Sequence, residues 1–313
     1  MLHRSVILAS ILLCCSCSSG SVPECNAGAD CASGACGADG RCLSIPDVGA
    51  DSRADTVETS ADAIGHDGDA IDAAPLDGKV GCTPNADDVV SADEIPLAAG
   101  LKATFRIATN TAVATAGTAT SGGRFLWDFS GALPGDRDAL VETIPPASAW
   151  WAAKFPSATY GTGLPTSTDL LGIFEVTGAA LLIEGQVSSS DGPSRTELTF
   201  GTKVPVLKFP LQPSAAWTTT TTVTGLTNGV GSAYQDTYDQ KVDALGEAKT
   251  PFGTFRVLRL RTIFTRTVGL VSTVVRTYAF ITDCFGPVAT ITSKPNETQA
   301  EFTTAAEVRR LAP

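Results

Sequence analysis

The chain predicts an all-β protein, in which an antiparallel meander forms a curved sheet, half-barrel or sandwich after a disordered N-terminal region. Thr, Val, Gly and Ala dominate residues 82–313, and no long window there shows the 3.6-residue apolar period of an amphipathic helix. Strand-like runs alternate with turn residues, and Asn228-Gly229 is a strong hairpin signal. These observations place the folded part of the chain after residue 81.

The second half of this domain is the more regular. Six strands joined by short turns are predicted at 217–225, 232–248, 254–267, 271–282, 288–293 and 298–311. The first half predicts strands near 101–109, 124–129, 170–176, 179–188 and 195–200. It also predicts a hairpin turn at Asp191-Gly192 and a short helix near 137–141.

Composition excludes several functions. The formal charge of −11 argues against a nucleic-acid partner, because phosphates require clustered Lys and Arg. The chain has two histidines, His3 and His66, and neither lies in the predicted domain. Histidine-dependent triads and HExxH zinc sites are therefore excluded there, and no GxSxG, SxxK, P-loop or GxGxxG motif occurs. We expect a non-enzymatic protein without a cofactor or a metal.

The first twenty residues have the layout of an export signal. A basic start that ends at Arg4 precedes an apolar run over 6–13, which is too short to span a bilayer. The run ends in cysteines, which resembles a bacterial lipoprotein signal. The resemblance implies a signal peptide over 1–16 and diacylation of Cys17, since Ser16 supplies the small preceding residue; Cys14 and Cys15 fit less well. Ser18 in place of Asp implies lipid anchoring to the outer membrane, facing the periplasm or the cell surface. An ordinary secretory signal is the alternative.

A second group of cysteines, spaced by five, four and five residues, marks a small module within residues 17–46. Gly and Ala fill most of the gaps, so burial cannot hold this segment together and cross-links must. The four are predicted to form two disulfides, with connectivity open among three arrangements. A metal site is the weaker interpretation, because C-x-x-C spacing is absent. The members are Cys25, Cys31, Cys36 and Cys42. The spacing resembles Cys-rich repeats that follow the lipidated cysteine in Gram-negative surface lipoproteins.

Residues 47–81 are predicted to be a disordered acidic linker. Nine acidic and two basic side chains lie between 47 and 80, among Ala, Gly and Ser. Low hydrophobicity with one dominant sign of charge is typical of chains that cannot offset the entropy of ordering. Asp67, Asp69 and Asp72 fall short of a calcium-loop pattern.

Two cysteines remain for the predicted domain at 82–313. Cys82 is its first residue and Cys284 lies in a turn near its end. In an exported protein we expect them to form a disulfide.

A further resemblance begins near residue 206. The segments KFPLQPSAAWTTTTTVTG, VDALGEAKTPFGTFRVLRLRT and YAFITDCFGPVATITS are similar to a module of uncharacterised Gram-negative lipoproteins and periplasmic proteins. The resemblance covers about 90 residues and implies a curved antiparallel sheet like the half-barrels of lipoprotein carriers, without an attached activity. The positions that carry it are Pro251, Gly253, Thr254, Phe255, Leu258, Arg259, Gly286, Pro287 and Val288.

Two sets of side chains are candidates for binding. Trp150 and Trp151 are adjacent, and on a strand one would be buried and the other left for a partner; both could instead pack in the core. Arg259 and Arg261 could form an anion site. The acidic residues of one strand region and the arginines of the next are more simply explained by cross-strand pairing than by carboxylate catalysis. These acidic residues are Asp236, Asp239, Asp243 and Glu247, and the arginines include Arg256 and Arg266.

Together these features predict a membrane-anchored envelope lipoprotein that binds an apolar ligand or an envelope protein. A carboxylate-based glycan hydrolase and a structural coat or adhesion component are the alternatives. A concave apolar cavity would favour ligand binding, whereas two carboxylates in a wet cleft would favour hydrolysis.

Overall fold

The computed structural model describes residues 82–313 apart from Thr166 and Thr168. The predicted signal peptide, the lipidated Cys17, the four-cysteine module and the acidic linker lie outside the described residues. Within the described part, no helix has the length and apolar character needed to cross a membrane.

Fourteen strands make up this part of the chain, together with two short 3-10 turns at Ser121–Gly123 and Pro146–Ser148. The strands are β1 Lys102–Ala112, β2 Thr118–Ala119, β3 Phe125–Asp128, β4 Arg137–Ile144, β5 Tyr160–Gly163, β6 Leu170–Val176, β7 Ala180–Ser188, β8 Glu197–Lys208, β9 Ala216–Thr227, β10 Val230–Lys249, β11 Thr254–Val268, β12 Val271–Thr282, β13 Gly286–Ser293 and β14 Thr304–Leu311.

The strands form a closed barrel. The hydrogen-bonded order runs from β11 through β12, β13, β14, β1, β4, β5, β6, β7, β8 and β9 to β10, which pairs back onto β11. All neighbours in this ring of 12 strands are antiparallel, and β3 with β2 branches off the end of β10 through a parallel pairing. The all-β, antiparallel prediction is confirmed. The half-barrel or sandwich is corrected to a closed barrel, because the β10–β11 pairing leaves no edge between these two strands.

The predicted strands agree best with the structure where they are joined by residues that strongly favour a turn. Asn228 and Gly229 both have positive φ, of 51° and 77°, as a type I′ hairpin requires, and they join β9 to β10. The helix expected near 137–141 is wrong, since these residues belong to β4, which pairs with β1. The short strands β2 and β5 were not predicted, and β8 continues to Lys208 beyond the predicted end at 200.

The barrel interior holds the largest apolar cluster. Every strand from β5 to β12 contributes to it, for example Leu198, Val223 and Leu260. At one end, the segment before β1 adds Val90 and Ile95, and Val90 makes a β-bridge with Leu211. This segment therefore closes part of the barrel end with apolar side chains.

Two further apolar clusters involve the outer face of the barrel wall. In one, Trp127 and Phe129 pack edge-on against Phe280, with centroids 5.0 Å apart in each pair. In the other, the segment between β4 and β5 covers β6 and β7. Both faces of parts of the sheet are consequently buried.

A disulfide joins Cys82 to Cys284, as the sequence predicts. The backbone N–H of Cys284 also donates to the Glu94 carbonyl at 2.7 Å. These contacts fasten the segment before β1 to the β12–β13 turn, next to the barrel end.

Candidate functional site

The interior of the barrel contains an apolar cavity of about 310 Å³. It lies toward the end formed by the start of β1 and the ends of β4 and β14, beside the β12–β13 turn. Its wall consists of Pro96, Leu101, Lys102, Ala103, Phe105, Val141, Thr143, Tyr160, Thr162, Gly163, Leu164, Pro165, Phe174, Phe285, Pro287, Thr290, Arg309 and Leu311. A cavity of this kind accepts a ligand with an apolar body, since few polar groups would have to be matched.

Strand register explains why these side chains converge. Phe105 of β1 lies opposite Leu311 of β14, and Thr290 of β13 lies opposite Arg309. Opposite residues in an antiparallel pair point to the same face of the sheet. Alternate residues of five or more neighbouring strands thus line one space.

Tyr160 and Phe174 form a stacked aromatic pair in the wall. Their rings stack with centroids 5.6 Å apart, and Tyr160 is 5% exposed. Burial raises the pKa of the Tyr160 hydroxyl well above its ordinary value, so the group stays protonated. No hydrogen bond joins this hydroxyl to another described residue, so its O–H can donate to a ligand bound at this wall.

Both cationic side chains of the wall are paired with carboxylates. Arg309 Nε donates to Glu307 Oε1 at 2.5 Å, and Arg309 Nη2 donates to the Leu164 carbonyl at 3.0 Å. Lys102 Nζ lies 2.6 Å from Glu142 Oε1 at the surface. The wall thus has hydrogen-bond donors but no uncompensated positive charge.

The two tryptophans proposed for binding do not reach this cavity. They lie in a turn rather than on a strand, and both pack in the cluster that covers β6 and β7. Trp151 is 1% exposed, while half-buried Trp150 donates its Nε1–H to the Ser188 carbonyl at 3.2 Å. Arg195 lies over the Trp150 ring, 5.7 Å from its centroid. These contacts favour the packing interpretation.

Arg259 is also held by structural partners. It is 6% exposed, and its guanidinium binds Asp243 and Glu301 and donates to the Thr115 carbonyl at 2.8 Å. The Tyr278 ring lies 4.4 Å away. Hydrogen bonding to Asp243 and Glu301 raises its pKa against the opposing effect of burial. With its donors in use, Arg259 has little capacity left for an outside anion.

Arg261 has a looser environment. Its Nη2 lies 3.9 Å from Asp239 Oδ1, and its buried Nε has no partner among the described residues. Arg259 and Arg261 both lie beside Tyr278, but the donors of Arg259 are taken up by Asp243, Glu301 and Thr115, so only Arg261 has a donor left for an anion.

The carboxylates considered for catalysis lie opposite the arginines. Asp236, 0% exposed, accepts two hydrogen bonds from Arg266, at 3.0 and 2.9 Å. Asp239 and Asp243 pair with arginines of β11, and Glu247 is in register with Arg256. This is the arrangement that cross-strand pairing predicts. Among residues 82–313 with their two gaps, no group of three or more His, Cys, Asp or Glu could hold a metal ion.

Sequence reasoning missed the cavity residues. Phe105, Tyr160, Phe174 and Thr290 come from separate strands, and no local motif connects them. Alternation within each strand was the available signal, but it cannot indicate which strands become neighbours or whether the sheet closes.

Comparison with known proteins provides no family for this chain: no protein-family model, curated protein or solved structure matches it.

Proposed function

We propose that this protein is a lipid-anchored envelope lipoprotein whose barrel binds a small apolar or amphiphilic ligand in its interior cavity. The observation that carries the proposal is the 310 Å³ space with its mostly apolar wall. At about 30 Å³ per water molecule, such a volume corresponds to roughly ten waters. It is about twice the 150 Å³ engineered apolar cavity that binds benzene.

The size of the cavity limits the ligand. An apolar group of about ten non-hydrogen atoms fills it, which matches a medium-length acyl chain or the end of a longer one. Burial of such a chain contributes about 0.8 kcal/mol per CH₂ group. We therefore expect binding that strengthens with chain length until the cavity is full.

A cavity-filling variant tests ligand binding. Ala103 lies in the wall, and A103W places an indole in the space. Ala233 is exposed on β10, so A233W adds the same group outside the cavity. Methyl octanoate titrated into the full chain should bind the unmodified protein and A233W but bind A103W at least about tenfold more weakly. Equal binding to all three, or none to the unmodified protein, would contradict the proposal.

The anchor is tested separately. If Cys17 is acylated, cells that express the full chain and grow with an alkyne fatty acid should label the unmodified protein and C14A but not C17A. Persistent label in C17A would overturn the assignment of the anchor to Cys17, without bearing on the cavity.

A further inference from the structure

The cavity wall contains one guanidinium whose hydrogen-bonding capacity is only partly used. Arg309 uses one N–H toward Glu307 and one toward the Leu164 carbonyl. A guanidinium carries five N–H donors, so three are left without a partner among the described residues. Its side chain is only 13% exposed. A ligand oxygen that accepts a hydrogen bond from one of these donors would replace water at a largely buried guanidinium.

The neighbouring carboxylate determines which kind of oxygen is favoured. Glu307 is 4% exposed and its Oε1 lies 2.5 Å from Arg309 Nε, so the positive charge of Arg309 is already compensated. A ligand carboxylate placed beside this pair would lose its hydration and would be repelled by Glu307. A neutral ester carbonyl or hydroxyl would gain the hydrogen bond without either cost.

From this geometry, and on the basis of the proposed function, we infer that the cavity selects uncharged amphiphiles, such as esters and alcohols of medium chain length, over free carboxylates. Arg309 donates the hydrogen bond to the ligand, and Glu307 sets the charge preference by compensating Arg309. Tyr160 supplies a further donor, which is uncharged, on the same wall.

The test compares three probes of equal chain length with the full chain: methyl octanoate, octanol and octanoate at neutral pH. We expect the first two to bind at least about tenfold more tightly than octanoate, since one uncompensated charge exceeds the tenfold step of 1.4 kcal/mol. In E307Q, which keeps the shape of the side chain but removes its charge, octanoate should gain about tenfold relative to methyl octanoate. D138N, which removes the carboxylate partner of Arg106 outside the cavity wall, is the matched control and should leave the ratio unchanged.

The outcomes separate the two proposals. If none of the probes binds the unmodified protein, ligand binding itself fails. If all three bind with equal affinity, or if E307Q and D138N shift the ratio alike, ligand binding stands and the preference for neutral ligands is overturned. Should E307Q not fold, as judged by circular dichroism, the comparison of the three probes with the unmodified protein decides the question alone.

Discussion

Arg259 and Asp243 form a two-point ion pair between β11 and β10, with Nε–Oδ1 at 2.8 Å and Nη2–Oδ2 at 3.2 Å. A β-bulge makes this pair possible. Val242 lies opposite Leu260 and Ala244 lies opposite Arg259, so Asp243 is an extra residue without a partner of its own in the register. The bulge also reverses the alternation of β10, since Val242 belongs to the interior cluster and Ala244 to an outer one.

Removing the Arg259 side chain should therefore destabilise the domain strongly. R259M leaves the mostly buried Asp243 without its counter-ion, and breaking such a pair costs about 3–5 kcal/mol of unfolding free energy. R261M removes only a contact of 3.9 Å and should cost less than about 1 kcal/mol. Urea denaturation of both variants measures the difference. Similar losses of unfolding free energy in the two variants would show that the buried ion pairs of Arg259 contribute no more to stability than the loose contact of Arg261.

Gly246 is expected to tolerate no side chain. A Cβ at this position would lie 1.8 Å from the Phe125 carbonyl oxygen, because β3 pairs with β10 there. G246A should cost about 1–3 kcal/mol of unfolding free energy, as other overpacking changes do. Gly231 lies on the same strand with open space around it, and G231A should be neutral or slightly stabilising. Near-equal melting temperatures of the two variants would contradict the close approach of β3.

Asp88 should contribute to acid sensitivity. Hydrogen bonds from Arg256 and Arg124 lower the pKa of this carboxyl from 3.8 to about 2. Because the pKa is lower in the folded state, the stabilisation is complete above about pH 4 and is lost as pH falls toward 2. D88N should accordingly lose less stability than the unmodified protein between these pH values, as urea midpoints would show. D169N changes an exposed aspartate and should show the same dependence of the urea midpoint on pH as the unmodified protein. If the midpoint of D88N also fell with pH as steeply as in these two proteins, Asp88 would not be the source of the acid sensitivity.

The Cys82–Cys284 disulfide should matter for stability, since it spans 202 residues. C82S/C284S is expected to lose about 2–5 kcal/mol of unfolding free energy, because the cross-link restricts the unfolded chain. The unmodified protein under reducing conditions should lose a similar amount. Mass spectrometry of a non-reducing digest provides the direct check, and a free thiol at either position would refute the pairing.

Part of the fold was predictable because its determinants are local. The Asn228-Gly229 turn has the conformation that a type I′ hairpin needs, and β9, rich in Thr and Val, pairs along its whole length with the first part of β10. The same local reasoning failed for β4, whose charged residues pair with residues of β1 that lie 30 to 40 positions earlier in the chain. Strand formation there depends on the partner rather than on the residues themselves.

The sequence predicted the kind of candidate site but not the residues that form it. An apolar concave site was one of the expected outcomes, but the residues named as binding candidates, Trp150, Trp151, Arg259 and Arg261, do not line the cavity. Bulky or charged side chains stand out in a sequence whether they pack, pair or bind. Cavity walls, in contrast, consist of ordinary residues that become a site only through their positions.

By itself, the sequence determined the all-β class, the hairpin turns and the opposite charges of β10 and β11, because these follow from residues adjacent in the chain or on consecutive strands. Only the tertiary structure decided that the sheet closes, where the bulge at Asp243 reverses β10, and that Tyr160 and Arg309 line one cavity. Closure depends on pairings between distant strands, whose geometry no local pattern encodes.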